Sequence, residues 1–421
     1  MITNRLPSLV CVLAFLSVPT APAADLVIIN TRVFTGTGAA VMERANIAVS
    51  GQRIETVSAG PLNTTGARVI DAAGKTVMPG LIDGHVHLFF DLQGGPGARF
   101  PTNDADARAY IQNRIPEKLR AHMEAGFTTL LSVIDFAPGI FDVKNRLNKG
   151  ELKGPRLLVS GGVFVARGGH YVCRGQPEDA RRWCDDHISV LLDSPENVRE
   201  GVRRFARSGA DVLVLDALTN AQTLPREAIQ AMVAEADSQR LRILVHNSNA
   251  SGVANLIAWG IDGFVHPPGV TRDVDGSLLA SAGKQHIPVG ITIGENAEPV
   301  RAGRASRQQF KDYEITRDNV LTLLRAGAVP VYGSDMPGAA PKDTLKIVTQ
   351  ALYDVGLSNA DVLRAATRDA ARVLLARDDL GTLEPGKLAD IIIVDGDPVA
   401  NLDALSNVKV VIKGGEVMVE R

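Results

Sequence analysis

His85 and His87 close an apolar run, Met78-Pro79-Gly80-Leu81-Ile82-Asp83-Gly84-His85-Val86-His87-Leu88, that reads as a buried strand. Residues two apart on a strand face the same way, so the run aims two imidazoles at one point. Neutral imidazole is a common ligand of divalent transition metals, and two on one rigid element form half of a metal site. Three further apolar runs also end in polar residues: Leu244-Val245-His246, Phe264-Val265-His266 and Tyr332-Gly333-Ser334-Asp335. Each has a plainer reading by itself, His246 or His266 as a satisfied rim residue and Asp335 as a helix cap. Four such placements in a chain with 8 histidines point together to one centre. His122, His187 and His286 fall in helical or loop text and receive no role.

Eight strands are expected to position these residues, over 77–88, 128–134, 156–161, 211–216, 242–246, 263–266, 288–293 and 330–335. Amphipathic segments alternate with them, among them 195–208, capped by Ser194, and 225–239. The pattern predicts an α/β fold, a (β/α)8 or TIM barrel over residues 77–377, whose active site lies at the C-terminal ends of the strands. An open doubly wound sheet is the alternative, but no glycine-rich phosphate loop follows the first strand. Short β-rich pieces precede the barrel at 26–29, 46–49, 53–57 and 68–71. After a last helix at 360–375, β-rich text returns at 389–394, 408–412 and around Val417. The two end segments, 24–76 and 378–421, are expected to combine into one small β-sandwich domain.

The composition suits this plan. A chain of 421 residues with 45% hydrophobic content can bury a large core. Its 45 basic and 47 acidic side chains leave a net charge of -2, which argues against nucleic-acid or membrane-surface partners and for a small-molecule substrate. Whether it forms an oligomer is left open.

Residues 1–23 read as a secretory signal peptide: Arg5, an apolar run over 9–18, then Pro19-Thr20-Ala21-Pro22-Ala23-Ala24 with cleavage after Ala23. The run is half the roughly 20 residues a membrane span needs. Cys11 lies inside it, which does not fit a lipoprotein. The processed protein is therefore expected to be secreted or periplasmic and free of the membrane. In an oxidising compartment Cys173 and Cys184, set in polar loop-like text, are expected to pair as a disulfide.

The motifs Pro79-Gly80-Leu81-Ile82-Asp83-Gly84-His85-Val86-His87, Gly168-Gly169-His170, Ser208-Gly209-Ala210-Asp211, Ile261-Asp262-Gly263-Phe264-Val265-His266, Gly333-Ser334-Asp335 and Gly381-Thr382-Leu383-Glu384-Pro385-Gly386-Lys387-Leu388-Ala389-Asp390 resemble the amidohydrolase superfamily. The resemblance extends to its imidazolonepropionase-like and prolidase-like branch, which hydrolyses C–N bonds. It implies that His85, His87 and Asp335 hold a divalent metal, with zinc the expected ion, and that His246 and His266 hold a second ion or orient substrate. Such a metal lowers the pKa of a water and polarises a carbonyl. Asp335 is then the expected general base, returning its proton to the leaving nitrogen. His266 or His246 is expected to stabilise the oxyanion.

One departure bears on the metal count. Two-metal relatives carry a bridging carboxylated lysine on strand 4, and the register of Gly209-Ala210-Asp211 places Val214 there. Three readings stay open: a single-metal site, participation of Asp216 as an anionic bridge, and a barrel that binds without turnover. A single ion is the favoured one. Strand 5 departs too, with His246-Asn247-Ser248-Asn249 in place of the relatives' second histidine and glycine.

For substrate, His170 and Tyr171 follow strand 3, where the resembling branch turns a histidine toward its ligand. Arg167 or Arg174 beside them could clamp a carboxylate, which suits an N-acyl amino acid or dipeptide. The expectation is a metal-dependent hydrolase of amide, cyclic amide or dipeptide-like C–N bonds. A single-metal deaminase of a small heterocycle and a non-catalytic binding barrel are the alternatives.

Overall fold

The computed structural model describes residues 24–90, 101–166, 178–218, 224–246, 248–269 and 276–421. The segment 1–23, the substrate residues Arg167, His170 and Tyr171, and Cys173 lie outside the described residues. Cys184 falls on the helix Glu178–Ile188, but its side chain is outside the description, and with it the expected disulfide.

Five short strands come first: β1 (Leu26–Val33), β2 (Met42–Ser50), β3 (Arg53–Ser58), β4 (Arg68–Asp71) and β5 (Thr76–Pro79). At Gly80 the chain changes sheet. A Cβ there would come within 2.2 Å of Thr128 Oγ1, so the crossing needs glycine. β6 (Leu81–Val86), β7 (Phe127–Ser132) and β8 (Arg156–Val159) follow as a three-stranded parallel sheet. The single strand expected over 77–88 is thus two strands in two sheets. The apolar run is unbroken, and only pairing partners, such as Val77 opposite Ile393 and Leu81 opposite Phe127, reveal the division.

The chain continues through β9 (Val163–Val165), β10 (Ser189–Leu191), β11 (Val212–Asp216), β12 (Arg242–Val245), β13 (Gly263–Phe264), β14 (Pro288–Ile291) and β15 (Val329–Tyr332). These form a seven-stranded parallel sheet in the order β10-β9-β11-β12-β13-β14-β15. β9 and β10 were not expected from the sequence, being only three residues each. Both edge strands of the three-stranded sheet are bonded to residues next to strands of the seven-stranded one, β8 beside β11 and β6 beside β15. The Asp211 N–H donates to the Val159 carbonyl at 2.8 Å, and the Asp335 N–H donates to the His85 carbonyl at 3.0 Å.

Alternation sorts the side chains of these strands into two layers. Leu131, Leu158, Val212, Val214, Leu244 and Val331 share one buried cluster. Their neighbours Leu130, Leu157, Leu213, Leu215 and Val245 pack with helix residues such as Val202, Phe205 and Met232. The helix Pro195–Ser208 forms as expected, with Ser194 Oγ accepting from the Asn197 N–H and Gly209 ending it at φ 93°. The helix expected over 360–375 is instead Asn359–Ala365 followed by a π-helical turn, Ala370–Leu374.

β16 (Ile391–Val394), β17 (Val408–Lys413) and β18 (Glu416–Glu420) then return to the first sheet, giving the order β18-β17-β16-β5-β1-β2-β3 with β4 beside β1. Both chain ends therefore build one unit, around Ile28, Ile47, Val77, Ile391, Ile393 and Ile412. The described pairings link all eight strands into one sheet, with β1 joined to β2, β4 and β5, and do not show the expected sandwich. Among the described residues no helix is long and apolar enough to cross a membrane.

Candidate metal centre

β6 is irregular where it matters. Its pairing with β7 shifts between Leu81 and Ile82 and again between Asp83 and Val86, so simple alternation is reset inside the strand. Val86 and Leu88 end up in the helix-side cluster, which leaves His85 and His87 on the opposite face. Two glycines let β6 and β15 come together there. A Cβ on Gly84 would lie 2.7 Å from Leu374 Cδ2 and 3.0 Å from the Tyr332 carbonyl oxygen. One on Gly333 would lie 3.1 Å from His85 Cβ. Asp335 follows at φ 45°, a left-handed conformation that Asp tolerates better than most residues.

The result is a tight group of donors. His85 Nε2 and His87 Nε2 are 3.2 Å apart, and Asp335 Oδ1 lies 3.3 Å from the first and 3.1 Å from the second. A tetrahedral ion with bonds of about 2.0–2.1 Å separates its ligand atoms by about 3.3–3.4 Å. The three atoms therefore already stand at the spacing an ion needs. A second group of three, His85, His246 and His266, shares His85 and brings its atoms within 4.8 Å of one another. His246 and His266 stack edge to face at 4.4 Å between centroids, and His85 lies 4.5 Å from His266. His85 is fully buried, whereas the Asp335 and His266 side chains keep 21% and 14% of their surface exposed, so substrate can reach the centre on their side.

The partners of the second ring nitrogens assign the tautomers. His85 Nδ1 lies 3.1 Å from the Val265 carbonyl oxygen, and His246 Nδ1 lies 3.2 Å from Asp216 Oδ2. Both partners can only accept, so each Nδ1 carries the hydrogen and each Nε2 presents a lone pair. His266 differs, with Nδ1 2.6 Å from the Thr292 hydroxyl, which can donate or accept.

Burial pushes the His85 pKa down to about 3, which keeps the ring neutral and ready to ligate. Burial acts the same way on His87, but its hydrogen bond to Asp335 and that residue's charge outweigh it, leaving His87 raised. Burial also opposes ionisation of Asp335. The surrounding His85, His266 and His87 outweigh that and hold its carboxyl below the usual range.

Two more buried carboxyl groups brace the centre. Asp83 Oδ1 accepts from the His85 and Ser334 N–H groups, both at 3.0 Å, and so staples β6 to the residues after β15. Burial raises its pKa to about 7. Asp135 accepts from the Leu88 N–H at 2.8 Å, the Phe89 N–H at 3.1 Å and the Ser132 hydroxyl at 2.5 Å, fixing the turn that follows His87.

The structure thus brings His85, His87, His246, His266 and Asp335 to one place. Asp216 is nearby but stands behind His246, with Oδ1 accepting from the Leu218 N–H at 3.0 Å, and belongs to neither donor group. Val214 is fully buried in the apolar interior cluster. His122, His187 and His286 bond main-chain carbonyls of Lys118, Trp183 and Gly327. Asp135 and Thr292 received no role from the sequence. Asp135 follows an apolar run, the signal that located the histidines, whereas Thr292 lies inside one, between Ile291 and Ile293.

The amidohydrolase family profile matches residues 76–418. An imidazolonepropionase of Alkaliphilus metalliredigens is 24% identical over 419 residues, covering 90% of this chain and 92% of that protein. A 5-methylthioadenosine/S-adenosylhomocysteine deaminase of Symbiobacterium thermophilum is 27% identical over 405 residues, covering 88% and 85%. Among solved structures, a Xaa-Pro dipeptidase with bound methionine in its active site superposes with a TM-score of 0.79 at 22% identity, covering 93% of this chain and 99% of that one. At that identity the likeness shows a shared fold.

Proposed function

This chain belongs to the amidohydrolase family, and from that premise we propose that it hydrolyses C–N bonds of a small amide, cyclic amide or dipeptide-like substrate. The carrying observation is the His85, His87 and Asp335 donor group, already at ion-binding spacing. On this reading those three side chains hold one divalent ion, taken to be zinc. The ion would supply an acidified water and a polarised carbonyl. Asp335 divides its work: Oδ1 faces His85 and His87, while Oδ2, 3.7 Å from His266 Nε2, takes the water proton and returns it to the leaving nitrogen. His266, 3.7 Å from Asp335 Oδ2, hydrogen-bonds the carbonyl oxygen as negative charge builds.

The single-ion reading is supported by the apolar, buried Val214 at the position where the family resemblance puts a bridging anion. Two cations a few ångströms apart repel strongly without one. Asp216, bonded to His246, serves as that ring's support and not as a bridge. The two parallel sheets are read as arcs of one (β/α)8 barrel, whose strand ends carry the site. Residues 1–23 are read as an export signal, which puts the enzyme outside the cytoplasm.

Purified protein is to be assayed for metal content and for hydrolysis of an N-acyl amino acid, a dipeptide, a lactam and an aminoheterocycle. One ion per chain and release of a free amino acid are expected. Ammonia release from the heterocycle would replace the amidase reading with a deaminase one. Failure to bind a divalent ion would overturn both.

A further inference from the structure

We propose that Thr292, just beyond β14, is a positioning residue that holds the His266 ring with Nε2 facing Asp335. Three observations carry this. The Thr292 hydroxyl lies 2.6 Å from His266 Nδ1, closer than Asp216 Oδ2 to His246 Nδ1 at 3.2 Å or the Val265 carbonyl to His85 Nδ1 at 3.1 Å. Thr292 is buried, and its methyl side is confined: a Cβ on Gly333 would lie 3.1 Å from Thr292 Cγ2, so the glycine makes room for that methyl. A β-branched side chain has few χ1 rotamers to begin with, and the packed methyl leaves the hydroxyl aimed at the ring.

β13 ends at Phe264, and the chain bends at Val265 and His266, whereas His85 lies within β6 with its N–H on the Asp83 carboxylate and its carbonyl accepting from the Asp335 N–H. Val265 points into the interior cluster, and alternation would send the next side chain the other way. The ring reaches the centre through the bend, with the Thr292 hydroxyl at its Nδ1 and the His246 ring 4.4 Å away. Thr292 acts only through His266 and touches none of the atoms that react.

The kinetic arm of the test rests on the hydrolase reading, and the spectroscopic arm does not. Thr292→Val keeps the packed methyl and removes the hydroxyl, and Thr292→Ser does the reverse. Full-length wild type and variants, loaded with cobalt(II) or zinc alone, are compared by metal content and by ¹⁵N-histidine NMR. Turnover of the N-acyl amino acid is measured alongside.

Thr292→Val is expected to keep its metal content while the His266 ring signals shift. Its kcat should fall about tenfold with KM nearly unchanged, the usual scale for loss of a supporting hydrogen bond. Thr292→Ser should restore the ring signals and most of kcat. Unchanged His266 signals in Thr292→Val would overturn the proposal, as would equal losses in the Val and Ser variants, which would assign the effect to the methyl. Should Thr292→Val not fold, Thr292→Ala against Thr292→Ser makes the same comparison of hydroxyl present and absent. Should wild type turn over none of the substrates, the functional reading fails while the ring signals still decide for or against Thr292.

Discussion

The two halves of the centre are built differently. His85, His87 and Asp335 lie on adjoining chain segments, joined by the Asp335 N–H donating to the His85 carbonyl and by the Asp83 carboxylate accepting from the His85 and Ser334 N–H groups. Their donor atoms fall within 3.1–3.3 Å of one another. His246 and His266 follow β12 and β13, and their rings are set by side chains from elsewhere, Asp216 and Thr292. Backbone-borne geometry is the stiffer of the two, because strand pairing leaves fewer soft torsions between donor atoms. On the proposed reading it suits the group that would hold the ion, while the side-chain-supported half suits groups that would adjust to substrate.

The strongest way to break this contrast is to remove one member of each half. His87→Ala should lose the metal and at least about a thousandfold in turnover, whereas His266→Ala should keep its metal while activity falls. Metal content by elemental analysis checks it, and loss of metal in both variants would erase the distinction. Asp216→Asn is the next smaller effect. It keeps the shape but can offer its amide N–H₂ to His246 Nδ1, and should cost about tenfold to a hundredfold in turnover with the tight group's ion retained.

The acidity of the tight half gives a third test. The His87 pKa is raised above 6.5 in the metal-free protein, and its protonated form cannot ligate. Metal affinity should therefore weaken as pH falls through that pKa, by about tenfold per unit once His87 is protonated. Titration with zinc at stepped pH measures this, and a flat profile would remove His87 from the ligand set.

The smallest effect is expected at Asp83. Its folded pKa of about 7 exceeds the ordinary 3.8, so the folded state binds a proton more tightly than the unfolded chain. The associated stability is full below about pH 4 and is lost as pH rises through 7. Asp83→Asn should flatten that slope and keep the fold at neutral pH, because the amide oxygen still accepts the two N–H groups. Asp83→Ala leaves both donors without an acceptor and should cost about 1–3 kcal/mol in denaturant unfolding.

Much of the site was legible because the metal chemistry uses residue types that are rare inside apolar runs. His85 and His87 were located by their two-residue spacing, and His246, His266 and Asp335 by their positions at the ends of runs. The supporting residues were harder to see. Thr292 and Asp135 are common types, and their meaning depends on partners distant in sequence: His266 for the first, the Leu88-Phe89 turn for the second. Asp216 drew notice by its parity with Val214, but its place behind His246 was not deducible from one strand. The helix-strand alternation was equally visible, while β9 and β10 are too short to show a period.

By itself the sequence determined which strand ends carry donors and that both chain ends return to β structure. These follow from local pattern, since side-chain period and residue chemistry are properties of neighbours along the chain. Only the tertiary structure decided that the run through Gly80 divides between two sheets, that a bulge in β6 and the absent Cβ atoms of Gly84 and Gly333 bring His85 against Asp335, and that His266 enters through a bend supported by Thr292. Those outcomes depend on distances between segments far apart in the chain, which no local period encodes.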